Sequence, residues 1–119
     1  MSAGLEPPGL DRNLGTEERA VVLAEVLQAD AALQRLAMFV NVAESDWPQD
    51  IKALFSRSPV RTERPGDVLR RWWNLFQDEV ALVHHTRNRL VHQVRVSDAE
   101  LLKASWLANH LIEITSRSR

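Results

Sequence analysis

From residue 69 to residue 94, apolar side chains return at helical intervals through Leu69, Trp72 or Trp73, Phe76, Val80, Val83, Leu90 and Val94. The one seam position between Val83 and Leu90 is an arginine, Arg87. Such a seam predicts a long helix over 67–94 with one buried stripe, and it obliges the rest of the chain to cover that stripe. The partners are visible on both sides. Val22, Val26, Ala29, Leu33, Leu36 and Val40 step by four and three, and Thr16 with Glu17 and Glu18 reads as a cap and an acidic first turn, so a helix is expected over 17–41. Asp46-Trp47-Pro48 starts a short helix over 47–57, which stops before Pro59. The loop SPVRTERPG follows, with Asp67 to cap the next helix. Ser97 and Glu100 form the ends of a capping box, and Leu101, Leu102, Trp106, Leu107, Leu111, Ile112 and Ile114 fill a last helix over 98–115. No strand-like alternation competes with these segments. The expected fold is all-α, an antiparallel four-helix bundle over residues 16–119. Residues 1–15, with Pro7, Pro8, Gly9, Asn13 and Gly15, read as a flexible N-terminal segment.

Composition narrows the chemistry. With no Cys in 119 residues, disulfides, thiolate metal sites and thiol nucleophiles are excluded, and a reducing cytoplasmic setting is expected. No apolar run reaches the roughly 20 residues of a membrane span, and the first ten residues lack the pattern of a signal peptide. The net charge of -1 hides an asymmetry. Residues 1–56 carry 4 basic and 9 acidic side chains, whereas residues 57–119 carry 11 basic and 7 acidic ones. Arginine dominates that second half, and its fork suits phosphate oxygens.

The polar residues of the third helix are concentrated at its end: His84, His85, Arg87, Asn88, Arg89 and His92. His85, Asn88, Arg89 and His92 share one face at i, i+3, i+4 and i+7, while Arg87 lies about 140 degrees around from His92. A guanidinium on an apolar seam needs an explanation, because an unpaired buried charge is costly. It can reach the rim or an acidic partner on another helix, such as Glu44 or Asp30. It can set the register of a helix interface. Or the seam opens there into a cleft that takes an anion. Arginine beside histidine is a combination suited to phosphoesters, the first neutralising charge and the second moving a proton. A metal is not expected, since there is no His-x3-His pair and no carboxylate one turn from His85 or His92. His110 reads as a surface residue. Of the adjacent Trp72 and Trp73, one is expected in the core and the other at an interface or stacking a base.

Arg87-Asn88-Arg89-Leu90-Val91-His92 resembles the Arg-x4-6-His motif of HEPN domains, small all-α domains common in prokaryotic toxin–antitoxin and defence systems. The placement, near the end of a long helix just before the last one, is similar too, and the resemblance covers mainly residues 68–115. It implies a metal-independent endoribonuclease with no cofactor, acting on RNA through a composite cleft between two protomers of a homodimer. It further implies Arg87 as phosphate stabiliser, Asn88 as an orienting group and His92 as general base or acid, with cyclic phosphate and 5'-hydroxyl products. Arg89, His85 and Arg95 would then bind substrate. An antitoxin or defence-system protein is an implied partner. In one toxin branch a Tyr two residues after the His is modified by a partner enzyme; here Gln93 and Val94 follow His92 and the chain has no Tyr. A non-catalytic helical adaptor for a protein or nucleotide is the alternative reading of the same face.

Overall fold

A computed structural model describes residues 13–55, 63–92 and 94–117. Its elements are α1 (Thr16–Met38), a 3-10 turn (Glu44–Asp46), α2 (Gln49–Phe55), α3 (Pro65–Val91) and α4 (Asp98–Arg117). The chain is an all-α bundle, and the described residues include no strand. The seam of α3 is buried as its spacing requires. Val68, Leu69, Trp72, Phe76, Val80 and Val83 join Ala29, Leu33, Leu36 and Val40, then Trp47, Ile51 and Phe55, and Leu107, Ala108 and Leu111 in one core. A smaller cluster of Val26, Val96, Leu101 and Ala104 closes the end where α4 begins.

The polar ties fix the directions. Gly66 N–H donates to Glu44 Oε1 (2.8 Å) at one end, and His84 meets Asp30 nearer the other, so α3 runs antiparallel to α1. The Trp72 indole donates to the Leu111 carbonyl (3.3 Å) and Arg89 to Glu100, so α3 is antiparallel to α4 as well. Arg19 pairs with Asp98 and the Ser105 hydroxyl donates to Glu25 (3.3 Å), so α1 and α4 lie side by side pointing the same way. The reason is the brevity of α2: with 7 residues it caps one end and never makes a full return.

Several ends differ from the expected ones. Thr16 is the first helical residue, and the extended residue before it is Gly15. α1 stops at Met38 because Phe39 N–H turns back to the Leu36 carbonyl (3.1 Å), a tightened last turn. Trp47 is extended ahead of Pro48, its indole donating to the Val42 carbonyl (2.9 Å), and α2 begins only at Gln49. Residues 56–57 of the expected second helix, and residues 1–12 of the N-terminal segment, lie outside the described residues. α3 begins at Pro65, whose lack of an N–H is no handicap at the first position; Asp67 is therefore inside the first turn, paired with Arg70. A Cβ at Gly66 would stand 2.6 Å from the Glu44 carboxylate oxygen, so a larger residue there would make that flexible side chain move aside. α3 ends at Val91 rather than residue 94, and α4 continues past residue 115 to Arg117.

Candidate site at the end of α3

Asp30 is the residue around which the polar groups gather. It stands in the apolar stripe of α1 between Ala29 and Leu33 and is 3% exposed. A carboxylate so placed must be surrounded by donors. His84 Nδ1 lies 3.0 Å from Oδ2 and 3.3 Å from Oδ1, and because carboxylate oxygens accept, the ring proton belongs on Nδ1. Arg87 Nε approaches the same Oδ2 at 3.9 Å, and Gln34 Nε2 donates to Oδ1 (3.4 Å). Arg87 Nη1 donates to Asn88 Oδ1 (3.1 Å), which orients the guanidinium. Of the three explanations for an arginine on this seam, pairing with Asp30 is thus realised, while Glu44 is engaged at Gly66 instead. The pairing leaves the cations open to solvent: the His84 and Arg87 side chains are 40% and 39% exposed, against 4% for Asp30.

The other expected site residues are distributed elsewhere. Three positions put His84 and Arg87 about 60 degrees apart, leaning together toward α1, whereas Arg89 and His85 lie on the opposite flank. There they line a hollow of about 210 Å³ with Leu82, Thr86, Glu100, Lys103 and Ala104. Arg89 donates to Glu100 and to the Arg95 carbonyl (2.9 Å), so it ties the end of α3 to the start of α4. That use of Glu100 leaves only half of the expected capping box, the Glu100 N–H to Ser97 Oγ bond (3.2 Å). The Arg95 side chain borders a different hollow, with Asn13, Arg19 and residues 96–99.

His92 is not on the face of a continuing helix. It is the C-cap of α3, exposed, with its N–H on the Asn88 carbonyl (3.0 Å), and the Val94 N–H closes the end on the Arg89 carbonyl (2.9 Å). Val94, expected on the seam, is 49% exposed for the same reason. Asn88 and Arg87 are therefore together, but His92 is separate from Arg87 by about 140 degrees of helix rotation.

No family model, curated protein or solved structure matches the chain. Among the described residues, no group of three or more His, Asp or Glu is gathered to hold a metal ion, and no helix is long and apolar enough to cross a membrane. Trp72 is the core tryptophan, 4% exposed; Trp73 is only partly covered. His110 stacks on Trp106 with ring centroids 4.0 Å apart.

His84 is the residue least evident in the sequence. Its signal comes in two parts: an acidic residue inside the α1 stripe, and a histidine one turn before the seam arginine. Only the packing of α1 on α3 joins these, across 54 positions.

Proposed function

We propose that the chain is a metal-independent endoribonuclease of the HEPN type, cleaving RNA at Arg87 with a histidine as proton carrier. The observation that supports this reading is the setting of Arg87. It is a half-exposed guanidinium oriented by Asn88 at a buried carboxylate, on the helix end where the resemblance puts a phosphate stabiliser. A preorganised guanidinium at that spot neutralises the extra charge of a phosphorane without having to reorganise. The resemblance gives the proton to His92, which would meet Arg87 across a two-fold axis between two copies. A toxin or defence effector is the biological setting that it implies.

The test is a labelled RNA incubated with the pure protein in EDTA. Cyclic-phosphate ends are expected, with a loss of about 10²–10³-fold in rate for Arg87→Ala. Cleavage that persists in Arg87→Ala would remove the assignment. A second reading, a non-catalytic adaptor, is favoured by Val91 and Val94, each 49% exposed beside His92. It predicts no cleavage and a partner lost on Val91→Asp.

A further inference from the structure

We propose that His84, oriented by Asp30, is the imidazole that works with Arg87, so that the site is complete within one chain. This rests on the ribonuclease reading above. An arginine and a histidine acting on one phosphate must present their working atoms side by side, and the histidine must offer one defined nitrogen. His84 meets both conditions. Its Nδ1 faces the Asp30 carboxylate, and the same Oδ2 is shared with Arg87 Nε. Ring and guanidinium therefore bracket one oxygen, and the ring presents Nε2 on the side away from it. About two-fifths of each side chain is exposed, so a strand laid on the α1–α3 surface reaches both, while the carboxylate beneath is sealed from water. His92, at the C-cap about 140 degrees around the helix, has no such relation to Arg87.

The step balances with these groups alone. Nε2 of the neutral ring takes the proton of the ribose 2'-hydroxyl as the 2'-oxygen bonds to phosphorus, and Arg87 meets the charge on the non-bridging oxygens. The bond from phosphorus to the 5'-oxygen then breaks, and the imidazolium returns its proton to that oxygen. The products are a 2',3'-cyclic phosphate and a 5'-hydroxyl, and the ring ends as it began. Asp30 acts as a positioning residue, fixing the tautomer and offsetting the ring's charge while it holds two protons. The charged groups that meet in this cluster are Asp30 from α1 and Arg87 from α3.

The experiment compares the full chain with its His84→Gln, Asp30→Asn and His92→Ala variants on one labelled RNA in EDTA, with thermal melts as the folding control. The amide introduced by His84→Gln keeps an N–H for Asp30, so the fold is preserved while proton transfer is lost. The expected result is a loss of about 10²–10⁴-fold in kcat for His84→Gln, larger than the loss for His92→Ala. Asp30→Asn should lower kcat and displace the pH–rate profile without changing KM, which a purely structural carboxylate would not do. A His84→Gln variant at the wild-type rate overturns the proposal, and so does an equal requirement for both histidines, which would restore a two-chain site. A wild-type chain that cleaves no RNA removes the ribonuclease reading itself, and the proposal with it.

Discussion

Glu79 stands in the middle of the α3 seam between Phe76 and Val83, 4% exposed, and neither carboxylate oxygen has a hydrogen-bond partner among the described residues. Asp30 is equally buried but is met by His84, Arg87 and Gln34. The two acids therefore have opposite effects on the fold. A buried polar group without a partner opposes folding by its lost hydration, whereas removal of one partner from a satisfied cluster leaves the rest exposed to that cost. Glu79→Met keeps the side chain's length and deletes both oxygens, and it should stabilise the chain by about 1–3 kcal/mol. The measurement is a urea titration in which the midpoint rises at constant slope; a midpoint that falls would show that Glu79 is paired. Arg87 is conspicuous in the sequence because it interrupts a seam, and Asp30 is one of two acids that the sequence offers as its partner. Which of them pairs, and that His84 joins, depends on how α1 crosses α3, and local spacing carries no information on that.

Each helix can be located from apolar spacing, but its ends are set by backbone bonds that spacing does not register. The Val94 N–H to Arg89 carbonyl bond stops α3 three residues short of the seam's last valine and turns His92 into a cap. At the start of α4, Ser97 supplies the one side-chain cap bond of the expected box. Ser97→Ala should therefore lower stability by about 0.5–2 kcal/mol, read from thermal melts. Asp98, the first residue of α4, accepts from the Leu14 N–H (2.8 Å) and pairs with Arg19. The Leu14 N–H above all, then Arg19, hold its carboxyl below the usual aspartate value against the effect of burial. A depressed folded value means that the clasp contributes fully above the unfolded pKa and is lost as pH falls through the folded one. Stability should thus decline below the ordinary aspartate range, and Asp98→Asn should flatten that decline; an unchanged acid limb in Asp98→Asn would refute the linkage.

At the level of the whole molecule, α1, α3 and α4 share a single core, so its loss should be felt everywhere at once. Leu33 and Leu107 enter it from α1 and α4 and are 0% and 2% exposed. Leu33→Ala and Leu107→Ala should each cost about 2–5 kcal/mol, with one cooperative transition in both cases. The one-chain site proposed above also makes a prediction about concentration. Cleavage per chain should stay constant on dilution, and mixing with an Arg87→Ala chain should dilute activity only in proportion. A fall in activity per chain at low concentration would point to a shared site.

The clasp of Asp98 on Leu14 and Arg19 has a further consequence for the order in which the chain acquires its structure. It joins positions 84 and 79 residues apart, and the first and last helices lie against each other along their length. Closing so long a loop carries an entropy that neighbouring helices do not face, so this bundle should fold more slowly than one built from hairpins of adjacent helices. During synthesis, the apolar stripe of α1 has no α4 to cover it until residues 98–117 have been made. The Asp30, His84 and Arg87 cluster belongs to α1 and α3, which share their core with α4, so its geometry should be fixed only after α4 has been made.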